Sequence, residues 1–225
     1  MENRELSELL SAHFAAWEHM SAIEQKQMLT NADLISYTQG ITVYNGENDC
    51  VGFMIIKSGR LRVYMLSEEG KEITLYRLDH GDMCILSASC VLSSITFDVH
   101  IEAEENTDVF VVGSVKFAEL IKNNIYIECF SYKLATDRFS DVMWAMQQIL
   151  FMSMDKRLAI FLWDELAKSE GDVIHITHEQ VARYIGSARE VVTRMLKYFA
   201  GEGIVELSRG GIKVIDKGKL RKLTL

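Results

Sequence analysis

The chain has 225 residues, of which 48% are hydrophobic and 25% charged, and its formal net charge is −8. No run approaches the roughly 18 uncharged apolar residues of a membrane span, and the acidic start lacks the features of a secretory signal. We therefore expect a cytoplasmic globular protein with no membrane partner. Its four scattered cysteines do not indicate a disulfide framework.

Charge is distributed unevenly along the chain. Residues 153–225 contain 13 basic and 10 acidic residues, whereas residues 1–152 contain 11 and 22, so the two parts carry +3 and −11. Such asymmetry is typical of a chain with one nucleic-acid-facing end, although random variation among solvated faces gives the same pattern. The motifs must decide between these interpretations.

The spacing of the apolar residues changes once in the first half of the sequence. Residues 6–29 have the apolar spacing of one amphipathic helix. Residues 36–115 then consist of short alternating runs separated by Gly, Asn and Asp turns. Strands at this interval predict an antiparallel sandwich or a small barrel.

A long helix is predicted next, over about residues 117–152. Its apolar residues recur at spacings of seven, three and four, which is the seam pattern of a coiled coil. The predicted dimer seam consists of Ala135, Val142, Ala145, Ile149 and Met152. Arg138 interrupts the pattern, and the alternative is a helix packed on its own domain. We favour a parallel homodimer. Asp155 is the predicted N-cap of a following helix that ends at Gly171.

The last third has the spacing of a helix-turn-helix. Thr177 and Gln180 predict a capping box at the first helix, Gly186 suits the turn, and Ser187 is the predicted cap of the second helix. The second helix has an apolar stripe of Val192, Met195, Leu196 and Phe199. Its outer face then carries Arg189, Glu190, Thr193, Arg194 and Lys197.

This outer face has the composition of a base-reading helix. Arginine donates two hydrogen bonds to guanine, and a carboxylate accepts from cytosine N4. We therefore expect base contacts from Arg189, Glu190, Thr193 and Arg194. The alternative for Glu190 is a capping role with Ser187, and for the arginines a merely solvated face. Phosphate contacts are expected from Thr177, His178, Ser187, Lys197 and Arg209.

A hairpin wing follows the two helices. The sequence from Gly203 to Asp216 reads as two short strands that turn at Arg209-Gly210-Gly211. Arg209 at the tip is a candidate phosphate contact, and a free surface arginine is the alternative.

These motifs resemble the Crp/Fnr family of bacterial transcription factors. The resemblance rests on the stretch from Val181 to Leu196, on the wing, and on the glycine framework of the first half. The framework glycines are Gly40, Gly46, Gly59, Gly70 and Gly81. The resemblance implies an α+β fold with a cyclic-nucleotide-binding-like β-roll (a jelly roll), a long dimerisation helix and a C-terminal winged helix-turn-helix. The implied domains are residues 1–152 and 153–225, and the implied partners are a palindromic operator on double-stranded DNA and RNA polymerase.

The effector is where the sequence departs from the family pattern. Relatives that bind cyclic nucleotides pair the ligand phosphate with an Arg, but residues 83–115 contain no Lys or Arg, which argues against cyclic AMP and cyclic GMP. The helix positions that would face a nucleotide base fall near Trp144 and Ala145, so a neutral or hydrophobic effector fits better.

The cysteines leave the sensing chemistry open. An iron–sulfur cluster needs clustered thiolates, whereas no Cys precedes Cys50 and the four are dispersed. Cys84 and Cys90 lie in the expected effector segment and are either core residues or sensing residues. As sensing residues they would act by thiol oxidation or as ligands of a metal or haem, for which the sequence gives no further support. We predict no metal site.

Two rival functions remain. A cupin-like β-barrel enzyme would need clustered His and Glu ligands, which the six scattered histidines do not provide. The barrel enzyme also leaves residues 153–225 unexplained. A small-molecule-binding module, such as the nucleotide-binding part of a channel or kinase, is disfavoured because the cation for a phosphate and a membrane segment are both missing. We therefore predict a DNA-binding regulator and not an enzyme.

Overall fold

The computed structural model describes residues 2–45, 51–85, 99–169 and 171–225. Contacts divide the chain into two compact units. The first comprises Met1–Leu66 and Leu75–Val142, and the second comprises Ser67–Thr74 and Met143–Leu225. This division falls inside a long helix, ten residues before the domain boundary expected from the sequence.

The first unit begins with two helices and a short 3₁₀ turn in place of the single predicted helix over residues 6–29. These elements are α1 (Glu2–His13), a 3₁₀ turn (Trp17–His19) and α2 (Ala22–Thr30). The single-helix prediction was wrong because Ser21 starts a new helix: its hydroxyl accepts from the Glu24 amide, and the Glu24 carboxylate accepts from the Ser21 amide. This reciprocal capping box stabilises a helix start at the point where the apolar spacing alone continues.

The described strands that follow form two four-stranded sheets, which makes the first unit a β-sandwich. The strands of the unit are β1 (Ala32–Tyr37), β2 (Thr42–Tyr44), β3 (Phe53–Ser58), β4 (Leu61–Leu66), β5 (Glu72–Leu78), β6 (Met83–Cys84), β7 (His100–Ala103) and β8 (Thr107–Val112). One sheet has the order β1-β8-β3-β6 and the other β2-β7-β4-β5. The paired strands are antiparallel in register, as in β1 against β8 and β4 against β7.

Alternation along β3 shows how the sandwich is filled. Phe53 and Ile55 belong to a buried cluster beneath the helices, whereas Met54 and Ile56 belong to a second buried cluster with Val63 on β4. Successive strand residues point to opposite faces, so one strand contributes to both cores. β3 is therefore buried on both faces over Phe53 to Ile56, in agreement with its continuous apolar sequence there.

The predicted helix over residues 117–152 is two helices. They are α3 (Ser114–Asn123) and α4 (Ile125–Phe151), and the residue between them, Asn124, is extended and buried. The Asn124 side-chain carbonyl accepts from the Tyr126 amide at 3.0 Å, and its amide group donates to the Glu24 carboxylate at 3.2 Å. Asn124 thus separates the helices and satisfies the first amides of α4.

The second unit contains the C-terminal helices and a small sheet. Its elements beyond α4 are α5 (Met154–Lys168), β9 (Val173–Ile174), α6 (His178–Tyr184), α7 (Arg189–Gly201), β10 (Val205–Ser208), β11 (Gly211–Val214) and α8 (Lys217–Thr224). The N-cap of α5 is Ser153 and not Asp155, and α5 ends at Lys168, before Gly171. Asp155 instead lies in the first turn, where a hydrogen bond with the Ser153 side chain lowers its pKa.

The α+β prediction with an N-terminal β-sandwich, a long helix and a C-terminal helix-turn-helix is confirmed. In the part of the chain that the structure describes, no helix is both long enough and apolar enough to cross a membrane.

Candidate nucleic-acid interface

The start of α6 is fixed by the predicted capping box. The Thr177 hydroxyl oxygen accepts from the Gln180 amide at 3.2 Å, and the Gln180 side-chain oxygen accepts from the Thr177 amide and hydroxyl, each at 2.9 Å. Both Thr177 donors are therefore engaged within α6. This bears on its expected role at a phosphate, since a phosphate would have to compete with Gln180.

The turn between α6 and α7 differs from the prediction at one residue. Gly186 has φ +61°, a conformation that side chains with a Cβ rarely adopt, and the Ser187 amide donates to the Ala182 carbonyl at 2.9 Å. The N-cap of α7 is Ala188, which offers no side-chain cap. The prediction that Ser187 caps the helix was therefore wrong, as was the capping alternative for Glu190.

The outer face of α7 presents one charged surface. Val192, Leu196 and Phe199 are fully buried on the inner side. The opposite side forms a shallow groove whose lining consists of Arg189, Glu190, Thr193, Arg194 and Lys197. Among the described residues, Glu190, Arg194 and Lys197 have no ion pair or hydrogen bond to a side chain, and we call this five-residue surface the α7 outer face.

Two contacts tie the α7 outer face to α6. Arg189 lies 3.9 Å from the Glu179 carboxylate, and both side chains are exposed. The His178 ring Nδ1 lies 3.0 Å from the Thr193 hydroxyl, and both residues are half-buried. Burial, followed by the charges of Arg189 and Lys197, lowers the pKa of His178. Both effects favour the neutral ring over the protonated one.

The wing lies within the same unit. β10 and β11 pair antiparallel from Val205↔Val214 to Ser208↔Gly211, and β11 also pairs with β9. Arg209 is exposed at the tip, and Gly210 beside it has φ +80°. A groove separates the start of α6 from this wing. Its lining includes Thr177, His178, Glu179, Arg189, Ser208, Gly210 and Gly211.

The effector-pocket candidates are not equivalent. Cys84 on β6 is 1% exposed and belongs to the apolar cluster between the two sheets, as its core alternative requires. Trp144 is 45% exposed on α4, and Ala145 beside it is half-buried. Cys90 lies outside the described residues. In the described segments, no group of three or more metal-binding side chains lies together.

The contact between Tyr76 and Arg138 was not predicted from the sequence. Tyr76 on β5 is buried, and Arg138 on α4 stacks over its ring at 4.9 Å from the centroid. Arg138 donates to the Asp141 carboxylate at 3.0 Å. Neither the Tyr76 hydroxyl nor the Arg138 Nε has a hydrogen-bond partner in the described parts of the chain. Burial raises the pKa of Tyr76 well above its ordinary value.

The apolar residues of α4 form two adjacent series. The predicted seam residues are half-buried; Ala135 packs on the cluster beneath the helices and Val142 on the cluster between the sheets. Ala145, Ile149 and Met152 are likewise half-buried. A second series, of exposed uncharged residues, begins with Ile125 and recurs at spacings of four and three. This exposed stripe, called the α4 stripe below, consists of Ile125, Cys129, Tyr132, Thr136, Phe139, Met143, Met146 and Leu150.

Comparison with known proteins agrees with both units. Residues 34–124 match the model of the cyclic nucleotide-binding domain, and residues 156–223 match the Crp-like helix-turn-helix domain. A crystal structure of a Crp/Fnr-family transcriptional regulator from Eubacterium rectale is 43% identical, covers 95% of this chain and 99% of its own, and superposes with a TM-score of 0.90.

More distant proteins match over most of the chain. The cyclic AMP receptor protein of Thermus thermophilus is 23% identical over 187 residues, which is 83% of this chain and 86% of the relative. The structure of FixK2 from Bradyrhizobium japonicum, 16% identical, covers 86% of this chain and 98% of its own with a TM-score of 0.70.

Proposed function

Because this chain belongs to the Crp/Fnr family of DNA-binding transcription regulators, we propose that it binds an inverted-repeat operator as a homodimer. A signal received in the β-sandwich controls its affinity for DNA. The family is one of transcription regulators, and nothing in the fold or the relatives favours the cupin-like enzyme. We also propose that the protein acts in the cytoplasm and engages RNA polymerase.

The observation that carries this proposal is the α7 outer face. Its two arginines and one glutamate project from a helix whose opposite side is buried, so the charged side is the one available to a partner. Arg189 and Arg194 lie five residues apart, about 7.5 Å along the axis at roughly 1.5 Å per residue. They therefore address separate base pairs, with guanines opposite the arginines and a cytosine opposite Glu190.

Phosphate contacts come from the margins of this face. Lys197 is exposed one turn beyond Thr193, and Arg209 is exposed at the wing tip. His178 and Ser187 flank the α7 outer face at the start of α6 and at the turn. Such contacts fix the register of a protein on the duplex without reading sequence. Thr177 is the weakest member of the set, because Gln180 already takes both of its donors.

The dimer forms through the α4 stripe. Phe139 and Leu150 are 62% and 64% exposed, and the stripe contains no charged residue over its eight positions. An apolar stripe with alternating spacings of four and three is the seam that two helices of a coiled coil share. Four of the five predicted seam residues lie one position before a residue of this stripe and flank it. A two-fold dimer then presents two α7 helices to an inverted repeat.

The effector acts at the β-sandwich. The absence of Lys and Arg from residues 83–115 argues against cyclic AMP, although the Thermus thermophilus relative is a cyclic AMP receptor. The Tyr76 hydroxyl and the Arg138 Nε are buried and have no hydrogen-bond partner among the described residues, so they mark a place where a ligand atom would be stabilised. We therefore favour this place on β5 and α4 as the effector site over Cys84, which is enclosed in the core.

Selection from random-sequence duplexes tests the proposed function. The wild-type protein should enrich an inverted repeat whose half-site centres lie roughly 34–36 Å apart, one helical turn. The Arg189→Ala, Arg194→Ala double variant should enrich no sequence while retaining the fold. As a control, Arg4→Ala changes an exposed arginine on α1 and should select the same repeat as wild type. Enrichment of the same repeat by the double variant would refute the assigned reading face.

A further inference from the structure

One hydrogen bond joins the two helices of the helix-turn-helix across the surface that faces DNA. His178 is the first residue of α6, and Thr193 lies in the second turn of α7, with 3.0 Å between Nδ1 and the hydroxyl oxygen. The capping box at Thr177 fixes the backbone on which His178 is carried. Thr193 is therefore not a freely rotating hydroxyl among the residues of the α7 outer face, because a neighbouring helix fixes its orientation.

The chemistry of the pair depends on which atom carries the hydrogen. In neutral imidazole one ring nitrogen donates and the other accepts, whereas both donate in the protonated ring. If Nδ1 accepts, it takes the hydroxyl hydrogen of Thr193, whose oxygen then presents only lone pairs outwards. If Nδ1 donates, the hydroxyl hydrogen of Thr193 is released towards the partner.

We propose that His178 is a positioning residue that sets whether Thr193 offers an acceptor or a donor to the DNA base, and thereby determines specificity at one base pair of each half-site. The inference rests on the proposed DNA-binding function. With a backbone phosphate accepting from Nε2, the neutral ring must accept at Nδ1. Thr193 then selects an amino group, adenine N6 or cytosine N4. A donor at Nδ1 reverses the preference towards guanine or thymine, whose major-groove edges present acceptors at that position.

The surroundings of His178 favour the neutral state. Arg189 and Lys197 on α7 face the ring, and together with its burial they lower its pKa, while Glu179 is the acidic neighbour in the same groove. The wing residues that line this groove are Ser208, Gly210 and Gly211, and none of them titrates. A nearby DNA phosphate stabilises the protonated ring. As the pH falls, His178 should therefore become protonated at a higher pH in the DNA complex than in the free protein.

The test compares four operator duplexes that differ only in the base pair opposite Thr193, as located by selection. At about pH 8, wild type should prefer the amino-bearing base by about fivefold, the scale of one hydrogen bond. His178→Arg keeps a hydrogen-bond donor for the phosphate, but its guanidinium group has no acceptor. It should therefore favour guanine or thymine at that pair at any pH, and wild type at about pH 6 should shift in the same direction.

Thr193→Val is the matched control, because it keeps the side-chain shape and removes the hydroxyl. It should lose the preference at that pair, lose its pH dependence, and leave the salt dependence of binding unchanged. The inference is overturned if the inverted repeat is enriched but the preference does not respond to His178→Arg, or if Thr193→Val retains it. Failure to enrich any repeat would instead refute the proposed function, so the two failures are distinguishable.

Discussion

Two helix faces that the chain leaves open to solvent differ in their chemistry. The α7 outer face carries two arginines, one lysine and one glutamate, whereas the α4 stripe carries no charge and includes Phe139, Met143 and Met146. A charged face keeps its solvation when exposed and attracts a polyanion, but an apolar face of this length favours burial against another apolar surface. Composition thus supports the two proposed partners: nucleic acid for α7 and a second copy for α4.

The largest expected effect comes from disrupting the α4 stripe. Phe139→Glu combined with Met146→Glu places two like charges in each helix of the proposed seam, so four carboxylates would meet in the dimer. We expect a monomer in sedimentation velocity at micromolar concentration. Operator affinity should fall on the order of 100-fold, because the second half-site no longer binds intramolecularly.

Asp137→Ala is the control for that experiment. Asp137 is exposed on α4 beside the stripe but outside it, so its loss should leave both the dimer and the affinity unaltered. If the double variant stays dimeric, the apolar face of α4 has another role and the contrast between the two faces no longer assigns their partners.

An intermediate effect is expected from the α7 outer face. Arg194→Ala should cost about 1–3 kcal/mol per half-site and relax the preference at one G·C pair. Competition binding against the selected operator and against unrelated duplex measures both effects. Equal weakening of specific and non-specific binding would mean that Arg194 contacts only phosphate.

The smallest expected effect concerns the helix start beside the DNA surface. Thr177→Ala removes the capping box of α6 and should lower the free energy of unfolding by about 1 kcal/mol in urea titration. Ser187→Ala is the matched control, because Ser187 forms no side-chain cap and should change stability by much less. If both variants are equally stable but Thr177→Ala loses DNA affinity at all sequences alike, Thr177 contacts phosphate and its cap is energetically minor.

Local signals predicted the helix-turn-helix well. The capping box, the positive φ of Gly186, the buried stripe from Val192 to Phe199 and the wing turn all depend on residues close in sequence. The α7 outer face follows from that stripe by helical geometry alone. The sequence therefore predicts which side of α7 is exposed, while its DNA contacts stay a prediction.

Features that depend on tertiary structure were not predictable in this way. Residues 135–152 contain two adjacent apolar series of the same spacing, and only packing shows that Ala135 and Val142 face their own chain while Phe139 faces solvent. At the break between α3 and α4, Asn124 also donates a hydrogen bond to Glu24, 100 residues earlier. The bond between His178 and Thr193 likewise joins two helices, and periodicity within either helix does not reveal it.

A buried charge cluster in the sandwich has an evolutionary consequence. The Arg62 side chain on β4 is 1% exposed, lies 3.0 Å from the Glu102 carboxylate on β7 and 3.8 Å from the Glu104 carboxylate, and stacks over Tyr64 at 4.0 Å. Removing one member of a buried pair strands the opposite charge and costs about 3–5 kcal/mol, whereas replacing all members by apolar residues is often neutral. Arg62 should therefore covary with both carboxylates: descendants of a common ancestor that lose Arg62 should also have lost Glu102 and Glu104, and intermediates that keep either carboxylate without the arginine should be rare.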